Sequence, residues 1–271
     1  MARVDGLTDR QYLAKQYRDA GNLNARINIH RRFSANPQGL LRWIFERFTL
    51  PPACRILELG GGPGNLWVEN LDRLPQGWAV TLSDVSIGMV RQARENLNGC
   101  AQQFRFGIAN AQSIPFASRT FDAVIADHML YHVPDRRRAL SEMRRVLIPG
   151  GRLFASTIGD GHMRELADLA ARFDADLGTW GSCGFATGTF TLENGASQIS
   201  AFFGNVSVDR YEDSLAVTEV APLVDYMLSG RIQLDGARRN ELTEFIAREM
   251  ERAGGILRIT KETGIFEAVR V

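Results

Sequence analysis

An apolar run, Cys54-Arg55-Ile56-Leu57-Glu58-Leu59, passes directly into Gly60-Gly61-Gly62-Pro63-Gly64-Asn65. Among the segments of this chain, this one most restricts the fold. A short hydrophobic strand that enters a glycine turn and then a helical stretch is the opening of a βαβ unit, and such units build parallel sheets. The pattern then repeats. Apolar strands are expected at residues 78–82, 104–108, 121–126 and 152–156, with helices at 65–74, 89–97 and 135–147 between them. Right-handed crossovers would place those helices on both faces of the sheet. The Pro149-Gly150-Gly151 run ends the last of these helices. Beyond it the spacing predicts a helix over 161–176, an irregular loop over 177–194 and a sixth strand over 206–211. A mostly helical stretch over 220–250 follows, then two extended segments, 256–259 and 265–269, around a Lys-Glu-Thr-Gly turn. Before residue 51 the chain reads as helical, with a break at Asn36-Pro37 and an end at Pro51-Pro52.

A glycine turn between strand and helix can cradle an anion through backbone N–H groups and the helix N-terminus. The dinucleotide fingerprint Gly-x-Gly-x-x-Gly fails here in both registers. From Gly60 and Gly62 the third position is Asn65, and from Gly61 the second is Pro63. What remains is Gly-x-Gly-x-Gly over Gly60, Gly62 and Gly64, with Glu58 two residues ahead. A carboxylate there repels a pyrophosphate but suits an ammonium group. The methionine end of S-adenosylmethionine carries an amine for Glu58 and a carboxylate for the glycine amides. Asp84 closes the second strand, 26 residues after Glu58. In a doubly wound sheet a carboxylate at that place accepts from ribose hydroxyls. The competing roles are plain ones: tight βα turns use glycine without any ligand, and Asp84 could cap the next helix, although Ser86 is the better candidate for that.

Residues 56–157 as a whole resemble the class I S-adenosylmethionine-dependent methyltransferases, in particular the small-molecule group typified by quinone biosynthesis. The resemblance rests on five motifs in order: Ile56-Leu-Glu-Leu-Gly-Gly-Gly-Pro-Gly64; Asp84-Val-Ser86 with Met89; Ala111-Gln-Ser-Ile-Pro-Phe116; Thr120-Phe-Asp-Ala-Val124; and Arg145-Val-Leu-Ile-Pro-Gly-Gly151. It implies an α/β fold, a Rossmann-like doubly wound, mostly parallel seven-stranded sheet. It also implies an N-terminal helical lid or substrate cap over residues 1–50, a cofactor-binding domain over 51–271 and an active-site loop at 177–194. By the same resemblance Val85 and Met89 flank the adenine on one side and Ala111 and Gln112 on the other. Asp127 and His128 border the methionine moiety, and Tyr12, Tyr17 and Arg26 of the lid are candidate contacts. Two positions depart from the family. Asn110 stands where Asp is frequent, and its carbonyl can still take the adenine amine. Gly61 stands where Cys is frequent, an exchange expected to be harmless.

Methyl transfer to a small molecule, giving S-adenosylhomocysteine, requires alignment of the nucleophile and exclusion of water. An acidic nucleophile also needs a general base. His128 and His132 fall in Asp127-His-Met-Leu-Tyr-His-Val-Pro134, at the carboxyl end of the central strand, and His30 falls in the expected lid. Each has a plainer alternative as a packed, hydrogen-bonded histidine, as does Tyr131. Trp67 reads as core rather than as a shelf for the cofactor. Trp180 and Phe185, in the 177–194 loop, are candidates to close over an apolar or aromatic acceptor.

Composition narrows the partners. Lys and Arg total 32 against 31 Asp and Glu, for a net charge of +1, without the basic excess of a nucleic-acid binder. The basic run Arg136-Arg137-Arg138 with Arg144 and Arg145 reads as the solvated face of a helix. Cys54, Cys100 and Cys183 are odd in number and widely spaced, which argues against a disulfide framework and a structural zinc site. The first ten residues lack the apolar stretch of a signal peptide, and no run is long enough for a membrane span, so the expected setting is cytoplasmic, with neither a metal nor a membrane partner. Monomer and homodimer both remain open. The alternatives are a non-catalytic module that binds S-adenosylmethionine or S-adenosylhomocysteine, and, on a related fold, an NAD-dependent oxidoreductase.

Overall fold

The computed structural model describes residues 21–100, 102–174, 189–229 and 234–271, with side chains from residue 27 onward. The chain divides into two compact units. One holds Leu40–Gly159, Gly188–Tyr211 and Thr263–Val271. The other holds Met1–Gly39, Asp160–Thr187 and Glu212–Glu262. The sequence reading set its single boundary at residue 50, whereas contacts divide the chain between Gly39 and Leu40 and again within the carboxyl half.

The first unit is built on the sheet. Its parallel strands are β1 (Ala53–Leu59), β2 (Gly77–Asp84), β3 (Phe104–Ile108), β4 (Phe121–Ala126) and β5 (Leu147–Ile158). The order across all seven strands is β3-β2-β1-β4-β5-β7-β6, with β6 (Gly204–Val217) at the edge and β7 (Leu257–Val269) antiparallel to β5. The mostly parallel, seven-stranded α/β architecture expected from the sequence is therefore present. β1, β2 and β3 step outward to one edge, and the chain then returns to lay β4 on the other side of β1. Right-handed crossovers put α3 (Asn65–Val68) and α4 (Ile87–Asn96) on one face and α5 (Arg136–Val146) on the other. The reversal leaves a crevice at the carboxyl ends of β1 and β4, the usual ligand position in such sheets.

Burial explains the central strands. Ile56 and Leu57 of β1, Ala123, Val124 and Ala126 of β4, and Leu153 and Phe154 of β5 are fully buried, as strands covered on both faces require. Leu40–Glu46, which forms α2, lies in the region expected to be a lid. Instead its Trp43, Ile44 and Phe45 join Phe48, Trp67, Trp78 and Phe104 in the core beneath the sheet. Phe48 meets Phe154 at 5.0 Å and Phe45 meets Trp67 edge-on at 6.3 Å. Truncating one such aromatic to Ala costs about 3–5 kcal/mol.

Three sequence expectations are corrected. Pro149-Gly150-Gly151 does not precede β5 but lies inside it. Gly150 takes φ 75°, and a Cβ at Gly151 would stand 2.9 Å from Ile148 O and 3.1 Å from Asp122 O. The register with β4 shifts at this point, so the glycines form a bulge. The two segments expected around Lys-Glu-Thr-Gly are one continuous strand, β7. Gly264 is not a turn residue. It lies where a Cβ would be 2.5 Å from Asp209 O, so the glycine admits a close backbone approach. The helix expected at 65–74 stops at Val68 and is followed by a separate 3-10 turn at Leu71–Arg73.

The second unit packs α1 (Gly21–Phe33), α6 (Arg164–Phe173), α8 (Val220–Leu228) and α9 (Gly236–Arg252) around Ile29, Leu166, Leu215, Leu223 and Ile246; α7 (Gly195–Ser200) belongs to the sheet unit. At one edge of this core, Lys261 forms a buried ion pair with Asp213. Asp213 also accepts from Ser34 Oγ at 2.6 Å and from the Asn36 amide at 3.0 Å. Among the described residues, no helix is long and apolar enough to cross a membrane.

Candidate functional site

Three elements converge at the carboxyl ends of β1 and β2. Gly60, Gly62 and Gly64 have φ of 69°, 53° and 81°, a left-handed conformation that side chains other than glycine seldom adopt. Their spacing is thus a backbone requirement of the turn. Gly61 is required for a different reason. A Cβ there would lie 2.6 Å from Glu58 Oε2 and 2.9 Å from Leu82 Cγ. The Cys frequent at this position in the family would therefore have no room here unless Glu58 and Leu82 moved.

Glu58 is almost wholly enclosed, at 1% exposure. The indole N–H of Trp67 donates to its Oε2 at 2.6 Å. Burial pushes its carboxyl up to about 8. The negative neighbours Asp127 and Asp84 add to the rise, and the Trp67 hydrogen bond opposes it. A carboxyl so poised gains most from a cation placed beside it. Trp67 is itself fully buried, a core residue as expected, yet it also positions this acid.

Asp84 ends β2. Its Oδ2 accepts from the Gly62 amide at 3.1 Å and its Oδ1 from the Ser86 amide at 2.8 Å. Burial raises its carboxyl above the usual range, while these backbone donors pull the other way. Ser86 caps α4, its side chain accepting from the Met89 amide, so the capping role falls to Ser86 as expected. The glycine amides depart from expectation. Gly61 donates to Ser83 O and Gly64 to Gly61 O, each at 3.0 Å, and Gly62 donates to Asp84. These three N–H groups hold the turn's own shape, because so tight a turn must satisfy its donors internally.

Beside Asp84, three large apolar side chains face solvent: Val85 at 65%, Ile87 at 53% and Ile108 at 55% exposed. Ile108 is the register partner of Asp84. Only Val85 was expected here from the sequence. The signal for Ile108 was its place as the last residue of β3, and for Ile87 its place just after the cap. Met89 and Ala111 are buried. The Asn110 carbonyl already accepts from the Gln112 amide at 2.9 Å, and Gln112 Oε1 accepts from the Asp135 amide at 2.8 Å. These two side chains brace the loop after β3 against the start of α5.

At the end of β4, Ser156 Oγ donates to Asp127 Oδ1 and accepts from the His128 amide at 2.9 Å. His128 is left-handed, with φ 49°. Tyr131 meets His132 edge-on at 4.6 Å between ring centres and lies 6.4 Å from His128. The structure thus brings Asp127, His128 and His132 together, and adds Ser156, which sequence reasoning missed. His30 lies in the other unit, 6.2 Å from His162 and 5.9 Å from Tyr226 between ring centres. The Glu262 amide donates to His162 Nδ1 at 3.1 Å. Tyr12, Tyr17, Trp180 and Phe185 lie outside the described residues, as does the side chain of Arg26.

The same segment matches known proteins. The family model described as a methyltransferase domain covers residues 57–155. The ubiquinone/menaquinone biosynthesis C-methyltransferase of Pectobacterium atrosepticum is 32% identical over 46% of this chain and 53% of its own length. The malonyl-[acyl-carrier protein] O-methyltransferase of Geobacter sulfurreducens is 32% identical over 55% of this chain and 54% of its own. The chain thus spans about half the length of the curated relatives it matches. The structure of Haemonchus contortus phosphoethanolamine N-methyltransferase 2 with S-adenosyl-L-methionine superposes with a TM-score of 0.58, at 17% identity, over 100% of this chain and 60% of that one. By their printed names, these three methylate carbon, oxygen and nitrogen.

Proposed function

We propose that the chain, whose residues 57–155 match the methyltransferase domain family, is a class I S-adenosylmethionine-dependent methyltransferase that transfers the cofactor's methyl group to a small-molecule acceptor. The observation that carries this reading is the pairing of two buried carboxyls, Glu58 and Asp84, on adjacent strand ends beside an exposed apolar shelf. The donor set fits the cofactor's three parts. Glu58, deprived of water, takes the ammonium of the methionine end. Asp84 keeps a second lone pair on each oxygen for ribose hydroxyls. Val85, Ile87 and Ile108 offer the adenine a surface whose burial is favourable, at about 25 cal/mol per Å².

When bound, the cofactor supplies an activated methyl on a positive sulfonium. Alignment and proton handling fall to the protein. His128 and His132 are the candidates to hold the proton of an acidic acceptor at a ring nitrogen. Ser156 fixes the backbone of His128 and the carboxylate of Asp127. The acceptor proposed is an apolar or aromatic small molecule rather than a nucleic acid, in line with the near balance of 32 basic against 31 acidic residues.

Calorimetric titration with S-adenosylmethionine, S-adenosylhomocysteine and NAD tests the reading. Asp84→Asn serves as the variant, because its remaining oxygen keeps an acceptor for one of the two loop amides. Binding of both sulfur nucleosides, weakened at least tenfold in the variant, is expected. Binding of NAD instead, or of none of the three, refutes it.

A further inference from the structure

A second concave site lies away from the strand ends just described. Because β7 runs antiparallel to β5, the end of β7 stands beside the start of β5. There Arg270 exchanges backbone hydrogen bonds with Gly150 and Gly151, both at 2.8 Å. A cavity of about 510 Å³ opens at this place, lined by Ser141, Arg144, Arg145, Ala201, Phe202 and Arg270. Three arginines therefore line one space with an aromatic wall, although the Arg145 guanidinium is itself held by Glu142 and by the Ile114 and Phe116 carbonyls. Arg137 adds a fourth cation, 5.6 Å over the Phe202 ring. We propose that this pocket binds the phosphate group of a small organic anion.

The charges around it are unbalanced. Arg145 is engaged by Glu142, whose carboxylate also accepts from the Ile114 amide. Arg144 donates to the Val271 backbone oxygen at 2.8 Å. Arg270 donates to the backbone oxygens of Arg145 and Leu147. Among the described residues, no Asp or Glu side chain lies within 4.0 Å of Arg144 or Arg270, and the oxygen that Arg144 meets belongs to the last residue of the sequence. Arg42, Arg55, Arg73 and Arg152, also in the sheet unit, each have an Asp or Glu side chain that close. Partial burial comes first among the causes that loosen Arg270's hold on its proton, followed by repulsion from Arg144 and from Arg119. Arg119 is itself left-handed, with φ 59°, and its amide donates to Arg145 O at 3.0 Å. An oxyanion would relieve this crowding. Guanidinium forks match phosphate oxygens two at a time. The space exceeds what inorganic phosphate fills, and Phe202 gives an organic body a surface to rest on.

The basic run that the sequence shows as a solvated helix face thus splits by role. Arg136 donates to Gln198 Oε1 and Arg138 to Gln112 O, while Arg144 and Arg145 are among the residues that line the cavity.

The test is thermal unfolding and calorimetry of the full chain with inorganic phosphate and with phenyl phosphate, against sodium chloride at matched ionic strength. Saturable, one-site stabilisation by phosphate is expected, weakened at least tenfold in Arg144→Gln and in Arg270→Gln. Affinity for S-adenosylmethionine should be unchanged in both variants, which separates this site from the methyl-donor site. Tighter binding of phenyl phosphate than of phosphate would assign the pocket to an organic phosphate, and equal binding to the free ion. Stabilisation that follows ionic strength alone, or that persists in the folded Arg144→Gln variant, would overturn the proposal.

Discussion

Replacing Glu58 with Gln removes an acid that the fold keeps nearly dry. In the unfolded chain this carboxyl ionises near 4.5, and in the ligand-free fold it holds its proton to about pH 8. Between those values the folded state binds more protons than the unfolded state, so the contribution of Glu58 to stability falls as pH rises. It is fully present below pH 4.5 and lost as pH passes through 8. At about 1.4 kcal/mol for each tenfold change, the span caps the effect at about 5 kcal/mol, and water entry on ionisation should reduce the observed loss to roughly half. The indole donor of Trp67 already favours the ionised form and is included in that span. The assay is denaturant unfolding of the wild-type chain and Glu58→Gln, without ligand, at pH 5.5 and 8.5. Groups remote from this acid titrate equally in both proteins, so the difference isolates Glu58 together with its coupling to Asp127 and Asp84. The wild type should lose about 1.5–2 kcal/mol relative to the variant over this interval. Calorimetry of S-adenosylmethionine binding in buffers of different ionisation enthalpy should show proton release near pH 7. Parallel stability profiles for the two proteins would mean that Glu58 is already ionised in the free fold, and the argument from burial would fail.

Two further changes separate local roles. Ser156→Ala removes the acceptor of the His128 amide and the donor to Asp127, which should cost about 1–3 kcal/mol and weaken S-adenosylmethionine binding several-fold; unchanged affinity would remove Ser156 from the site. Lys261→Met leaves Asp213 buried without its ion-pair partner, an expected loss of about 3–5 kcal/mol in denaturant unfolding. Adding Asp213→Asn should recover part of that loss while keeping an acceptor for the Asn36 amide, and no recovery would show that the pair's charge is not what matters.

The parts legible in the sequence share a physical trait: their signals are local. Positive φ demands glycine, so Gly60, Gly62 and Gly64 announced the turn. A strand buried on both faces is a continuous apolar run, so β1 and β4 stood out. Ser86 caps through a contact three residues away. The parts that were missed depend on distant chain. Gly264 looks like a turn residue until Asp209 is seen to pack against it. Pro149-Gly150-Gly151 looks like a terminator until β4 shows the shifted register. Ser156 acquires its role only when β5 aligns with β4 and brings it to Asp127 and His128. Asn110 and Gln112 lie in the motif expected to hold the adenine, yet the partners seen for them are one another and the start of α5. Phe45 and Trp43 belong to the sheet core because of aromatic partners more than twenty residues away.

The position of β7 limits how this chain can be divided. The segment that matches the methyltransferase family ends at residue 155, yet β5 is completed by residues 263–269, from Arg152↔Val269 to Ile158↔Thr263. A fragment cut at the family boundary would end inside β5 and leave Arg152, Leu153, Phe154 and Ala155 as an unpaired edge. Such edges recruit strands from other molecules. An excised domain should therefore precipitate or form intermolecular sheet, and a peptide with the sequence of residues 263–271 should suppress that assembly by taking the vacant place.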